Sequence, residues 1–337
     1  MSGTITMTAS EVEELAFGAL VAAGTREASA RALARAVAAA EREGIRSHGL
    51  MYVPTYCEHV TCGKVDGQAV PEVAKTAPGA LRADARNGFA HPAIEAGFEE
   101  LVPLARSQGV AALSVHNSYN CGVLGYHAAR LAEAGLVGLG FTNAPASIAP
   151  AGGRKPVVGT NPFALAVPGD GAPALLIDQS ASVIAKSELM VRARTGEPIP
   201  LGWALGPDGE PTTDPAVGLK GTMAPSGGYK GFGVGLLVEV MAAALSGANL
   251  GIHASPFSGT AGGPPGTGQF FLAISPAAFA GDGFGPRIAD LCAAITAQEG
   301  AHLPGQRRAA NRARSDADGI PVPADLHARI AGLAGGA

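Results

Sequence analysis

Residues 232–251, "FGVGLLVEVMAAALSGANLG", carry a single charge, and a run of that kind must leave water whatever the rest of the chain does. It approaches the length of a membrane span, but Glu239 sits near its middle, where a carboxylate in hydrocarbon is costly. The expectation is a helix buried in a large core. The N-terminus, "MSGTITMTASEVEEL", has no basic segment followed by an apolar one, so no secretory signal is expected and the cytoplasm is the expected location. Partners are bounded by charge. The net charge is −4 and no basic run exceeds Arg307–Arg308, which excludes the basic face a nucleic-acid binder needs. Cys57, Cys62, Cys121 and Cys292 form no CxxC, so neither a metal site nor a disulfide framework is expected. Only 15% of residues are charged against 47% apolar, which points to extra surface buried against another subunit.

At 337 residues about two domains are expected. Ser10 and Glu13 form a capping box that starts a helix near residue 11, and Thr25 caps a second over 26–43, the two making a hairpin. A helix over 92–108, a strand over 110–115, a turn into a helix ending near 134 and a strand over 136–143 follow. Short β-type runs come at 163–168 and 174–178, then turn chemistry at 206–215. Beyond the apolar helix and a Gly/Pro-rich 258–268 come a strand over 269–275 and a helix from about 285. Strands and helices mix without a strict βαβ rhythm, so the class is α/β, mixed α+β.

A Rossmann dinucleotide site would carry GxGxxG between a strand and a helix. No glycines of this chain have that spacing; Gly228, Gly231, Gly233 and Gly235 do not fit it. Three other stretches are dense in chemistry. Ser47-His48-Gly49 leaves the far end of the helical hairpin. His48 can move a proton near neutrality and Gly49 lets backbone approach a ligand, although a histidine stabilised by a helix end explains the same residues. "NAPASIAPAGGRKPVVGTNPFALAVP", 143–168, sets backbone and side-chain amides close together, as a polar ligand or merely a long ordered loop would require. In "SGGYKGFG", glycines open the backbone around Lys230, a cation that suits a phosphate or carboxylate or simply a solvated turn.

Taken in order, the blocks SHG, "NCGVLGYHAARLAEAGLVGLGFTNAPASIAPAGG", "GTNPFALAVP", "IDQSASVIAKSE", "GEPIPLGWALGPDGEPTTDP", "GGYKGFGVGLLVEVMAAALSGA" and "GQFFLAISP" resemble the malate/L-lactate dehydrogenase family of the second type. Its members include ureidoglycolate and sulfolactate dehydrogenases, diketogulonate reductase and cyclic-ketimine reductases. The resemblance covers residues 10 to 325. It implies an oxidoreductase that uses NAD or NADP on a non-Rossmann, multi-domain fold and assembles as an interwoven homodimer. Residues 1–115 with 285–337 would form a dimerisation and substrate domain, and 116–284 the NAD(P)-binding domain.

By the same resemblance His48 is the general acid/base, with Asn120 beside it, and Ser47 and Tyr52 face the substrate. The cofactor would lie along Asn143, Pro150, Gly152, Gly153, Thr160, Asn161, the stretch Ile177, Asp178, Gln179, Ser180, Ala181, Ser182 and Val183, then Lys230, and the turn Gly305, Gln306 and Arg307. Two positions depart from the family. Tyr52 stands where an arginine usually holds the substrate carboxylate, and Asn120 where a second histidine usually stands. Asparagine orients a carbonyl or imine but transfers no proton at neutral pH. The expected chemistry is hydride transfer between nicotinamide and a small 2-oxo/2-hydroxy acid or cyclic imine acid. The competing reading is a nucleotide-binding or interaction subunit that has lost turnover.

Overall fold

The structure, a computed structural model, describes residues 3–335. A short strand, β1 (Thr4–Met7), leads into two packed helices, α1 (Ala9–Ala22) and α2 (Glu27–Arg42). The hairpin is as expected but its caps differ. Thr8-Ala9-Ser10-Glu11 is an overlapping box two residues earlier: Thr8 Oγ1 accepts from Glu11 N at 3.2 Å, and Glu11 accepts from Thr8 N at 2.7 Å. The earlier box prevails because it adds helix length. Thr25 does not cap α2; Arg26 is the N-cap residue and makes no side-chain bond, while the Thr25 hydroxyl is buried.

Two tight turns then carry the chain through Ser47-His48-Gly49 into α3 (Val53–Thr61). Next come β2 (Glu72–Ala77), β3 (Ala80–Asp84), α4 (Ala90–Gln108), β4 (Val110–Ser118), α5 (Leu124–Glu133), β5 (Val137–Thr142), β6 (Phe163–Val167) and β7 (Leu175–Gln179). An excursion follows: α6 (Lys186–Thr195), β8 (Ala204–Leu205), β9 (Pro211–Thr212), α7 (Pro215–Lys220) and β10 (Thr222–Met223). After α8 (Tyr229–Glu239) come β11 (Thr267–Ile274), α9 (Phe284–Thr296), α10 (Gln306–Asp318), β12 (Ile320–Pro323) and α11 (Ala324–Ala334).

The main sheet has the order β2-β3-β4-β11-β5-β6-β7. Only β3 and β4 pair in parallel; the other neighbours are antiparallel. Strand β11 returns from more than a hundred residues downstream and inserts between β4 and β5, pairing Phe271 with Leu113 on one side and Gly140 on the other. Helices α4 and α5 cover one face, burying Ile94, Phe98, Leu101, Leu124 and Leu131 against Leu113 and Phe271. Gly97 permits that approach, since a Cβ there would lie 2.8 Å from Leu113 Cδ1. A second core gathers both ends of the chain: α1, α2, α3 and α11 pack around Leu20, Leu33, Val37, Tyr56 and Ile330, closed by the antiparallel β1–β12 pair. The expected 115/116 boundary falls inside β4.

The apolar run at 232–251 is only half in the core. Gly231, Gly235, Val238, Glu239, Ala242 and Ala243 are buried, whereas Gly233, Leu236, Leu237, Val240 and Ala244 form an exposed stripe. A face that awaits a partner has the same composition as a core, which is why full burial was expected. Among the described residues no helix is long and apolar enough to cross a membrane.

Candidate active site

The His48 turn is built from the end of α2. Glu41 is buried, and its Oε1 accepts from Leu50 N at 2.8 Å, tying the chain back just after His48. Gly49 is needed there for a reason within the chain itself: a Cβ would lie 2.6 Å from Glu41 Cδ and 2.7 Å from Cγ. The glycine lets backbone meet a carboxylate of the same chain. Ser47 Oγ lies 3.0 Å from His48 Nδ1. Burial draws the His48 imidazole below its ordinary pKa; Asp178 opposes that and the Arg308 cation adds to it.

Asn120 follows β4 on a turn that Gly122 completes with φ +64°. Its Oδ1 accepts from Tyr56 Oη and from Gly122 N, each at 3.2 Å. Its Nδ2 is buried with no hydrogen-bond partner among the described residues. The turn is held from behind by His127 Nε2, 3.0 Å from Cys121 O, and His127 packs at a tilt against His91 with ring centroids 5.3 Å apart. Neither buried imidazole was anticipated. Burial, with the Arg130 cation adding, pushes His91 down to about 3.

Tyr52 is not free to serve as an open donor. Its hydroxyl donates to Phe257 O at 3.1 Å, and its ring packs edge-on against Tyr56 at 4.7 Å. Lys64 Nζ, fully buried, donates to Pro256 O at 2.7 Å and Gly259 O at 2.9 Å, while His59 Nε2 is 3.0 Å from the same Gly259 oxygen. Tyr52 just before α3, His59 on it and Lys64 after it thus fasten segment 256–259 at the position of the family's arginine.

Some of the expected cofactor stretches meet at β7 and the segment just after it. Leu176 N donates to Pro304 O at 3.0 Å, with Gly305 against the Leu176 side chain. Asp178 Oδ2 accepts from Gly125 N and Arg308 Nη2, both at 2.9 Å. Ala181 N donates to Thr160 O and Ser226 N to Ala181 O, each at 2.8 Å, and Val183 N donates to Ala224 O at 3.0 Å. Ser182 Oγ, 3.0 Å from Ser180 Oγ, donates to Ile184 O at 2.8 Å. Ile177 and Gln179 continue β7, Gln179 exposed. Lys230 stands exposed on the first turn of α8.

Asn143 and Asn161 occupy the same region but their side chains are spent internally. Asn143 Nδ2 donates to Asn249 O and its Oδ1 accepts from Gly268 N, each at 2.9 Å. Asn161, at φ +37°, donates from Nδ2 to Gly235 O at 2.9 Å and Glu239 Oε2 at 2.7 Å and accepts from Ala144 N at 3.1 Å. Glu239, the lone charge of the apolar run, also accepts from Gly251 N at 2.6 Å. It knots the 143–161 loop to α8. The Pro150–Gly153 turn closes with Gly153 N on Pro150 O at 2.8 Å and leaves Gly152 exposed at φ +78°. Gln306 accepts from Leu303 N at 3.1 Å, and Arg307 is exposed; the inward guanidinium is that of Arg308, which was not anticipated.

The malate/L-lactate dehydrogenase family model matches residues 7–331. The chain belongs to the malate/L-lactate dehydrogenase family. It is an oxidoreductase of that family. A (2R)-3-sulfolactate dehydrogenase (NADP(+)) of Chromohalobacter salexigens is 44% identical over 93% of either chain. A Δ1-pyrroline-2-carboxylate reductase of Ancylobacter novellus is 40% identical over 99% of this chain and 98% of the relative. The crystal structure of Δ1-piperideine-2-carboxylate reductase from Pseudomonas syringae superposes with a TM-score of 0.93 at 35% identity, covering 98% of this chain and all of that one.

Proposed function

We propose that this oxidoreductase reduces a cyclic imine acid of the Δ1-pyrroline-2-carboxylate class with NADPH or NADH, His48 supplying the proton. The observation that carries the choice of substrate is Asn120. Its Oδ1 is held by Tyr56 and Gly122, its Nδ2 remains a donor without a partner among the described residues, and an amide moves no proton. One imidazole then has to serve the reaction. An imine nitrogen is far more basic than a ketone oxygen, so a single imidazole suffices to protonate it as hydride arrives. A 2-hydroxy acid such as sulfolactate is the second reading, favoured by the 44% identical relative.

The cofactor would be held by the Pro150–Gly153 turn, Thr160, the backbone of 177–183, Lys230 and the Gly305–Arg307 turn. These residues suit it: Gly152, Gly227 and Gly228 have positive φ and open space where a Cβ would stand, so backbone can lie against a phosphate. Asn143 and Asn161 would shape that surface rather than touch it. When bound, the nicotinamide supplies the hydride. The protein's part is to bind, orient and deliver the proton. In the imidazolium form Nδ1 donates to Ser47 Oγ, 3.0 Å away, which leaves the Nε2 proton as the one to transfer. The largely antiparallel sheet supports a non-Rossmann dinucleotide site, which in the Rossmann case needs parallel strands and a glycine fingerprint.

A homodimer completes the proposal, in the cytoplasm, with residues 1–115 and 285–337 on the substrate side. The exposed stripe of α8, continued by Leu245 at 59% exposure, is the face a second copy would cover. The deciding experiment compares kcat/KM on Δ1-pyrroline-2-carboxylate, Δ1-piperideine-2-carboxylate, 3-sulfopyruvate, pyruvate and oxaloacetate with each nicotinamide cofactor. The cyclic imines should lead. A clear preference for 3-sulfopyruvate would replace this reading with the second, and no turnover of any of them would reject both.

A further inference from the structure

Helix α10 is fastened to the end of α2 at several points. Arg312 pairs with Glu43, Asn311 Nδ2 donates to Glu43 O at 3.0 Å, Ser315 Oγ donates to Arg42 O at 3.0 Å, and Arg42 pairs with Asp316. Arg308 stands one helical turn before Arg312, on the same face. Its guanidinium reaches two ways. Nη2 donates to Asp178 Oδ2 on β7 at 2.9 Å, while Nη1 is buried 3.9 Å from Glu43 Oε2 with no hydrogen-bond partner among the described residues. Asp178 Oδ2 in turn receives Gly125 N, at the foot of the turn that carries Asn120.

We propose that Arg308 is a positioning residue of the reaction, spanning Glu43 and Asp178 so as to fix the His48 turn relative to β7 and set the field in which His48 exchanges its proton. The proposal rests on the reading of His48 as the proton-transfer group. Arginine suits the task because its planar fork offers donors to two carboxylates at once, whereas a lysine ammonium is a single point of charge. The position also matters electrostatically. The charged groups whose fields reach the His48 ring are Asp178 from β7 and Arg308 from α10, and they oppose each other. Removing the cation deletes one field and leaves the aspartate's unopposed, which favours the protonated imidazole. Losing the span as well releases the His48 turn from the strand, and a misplacement of about 1 Å is enough to cost ~10²-fold in rate.

The test follows kcat/KM against pH for wild type, Arg308→Met, Arg308→Lys, Arg312→Met and His48→Gln, using NADPH and a cyclic imine acid, with NADPH affinity read by fluorescence. In Arg308→Met the pH limb that disappears in His48→Gln should move to higher pH, and kcat should fall ~10- to 10²-fold. Arg308→Lys keeps the charge without the span, so its limb should stay near that of wild type while kcat recovers only in part. Arg312→Met removes a purely structural staple; it should lower Tm and leave the limb in place. A limb unmoved in Arg308→Met, moved equally in Arg312→Met, or accompanied only by weaker NADPH binding would overturn the proposal alone. A limb that persists in His48→Gln would overturn the His48 reading and the proposal with it.

Discussion

Replacing Gly49 with alanine places a methyl group where the Glu41 carboxylate lies. Gly49 has φ −94°, so no backbone strain enters and the cost is steric. Its Cβ would sit 2.6 Å from Glu41 Cδ, with Oε1 nearer still, and both Glu41 and Leu50 are buried, so the carboxylate can leave only by giving up Leu50 N. Losing a hydrogen bond to a charged group costs about 1.5–3 kcal/mol. Overpacking the site adds about 1–3 kcal/mol. We therefore expect Gly49→Ala to destabilise by about 3–5 kcal/mol in urea unfolding, at unchanged m. The same substitution made on a Glu41→Ala background finds room and should cost under ~1 kcal/mol, a coupling of about 2–4 kcal/mol. Activity should fall with the single mutant, since the turn presents His48. A Gly49→Ala protein within ~0.5 kcal/mol of wild type, or costs that simply add, would show that Glu41 does not hold this turn.

Tyr52→Arg should raise kcat/KM on simple 2-oxo and 2-hydroxy acids by restoring a carboxylate fork, measured by steady-state kinetics. A wild type that already uses malate or lactate as well as the mutant contradicts this. Lys230→Ala should raise the NADPH Kd more than the substrate KM in a fluorescence titration; unchanged dinucleotide affinity would remove Lys230 from the cofactor surface. His91 predicts acid lability. Its imidazole sits at about 3 in the folded chain against an unfolded value near 6.5, so the folded state takes up fewer protons as pH falls. Its stability is complete above about pH 6.5 and is lost progressively toward pH 3, amounting to ~2 kcal/mol between pH 7 and 5. Urea unfolding across that range checks it, and a flat profile would contradict it.

How much of this was legible in the sequence depended on the range of the signal. Helix α4 and strands β4 and β5 lie close to where periodicity places them, because each pattern is local and strong. The insertion of β11 between β4 and β5 is not written in any one stretch; it depends on pairing across more than a hundred residues. The β1–β12 pair is four residues long and joins opposite ends of the chain, so neither strand signals the other. In the site, His48, Asn120 and Asp178 lay within motifs, and the structure gathers those motifs around β7 and the turn after β4. Glu41 and Arg308 did not stand out. "EREG" reads as the mixed-charge end of a helix and "RR" as a basic surface, and only the fold brings Arg308 to Asp178, 130 residues away. The asparagines were legible as important but not as internal fasteners, because Asn143 and Asn161 show that role only through their partners Gly268 and Glu239.

The most direct measurement of the central claim is the single-turnover reduction of Δ1-pyrroline-2-carboxylate by NADPH in wild type and His48→Ala, with NADPH affinity measured on both proteins. The account predicts a rate at least ~10²-fold lower in the mutant with NADPH binding nearly unchanged, as when a proton donor in the transition state is removed. A mutant that retains most of the wild-type rate would contradict it.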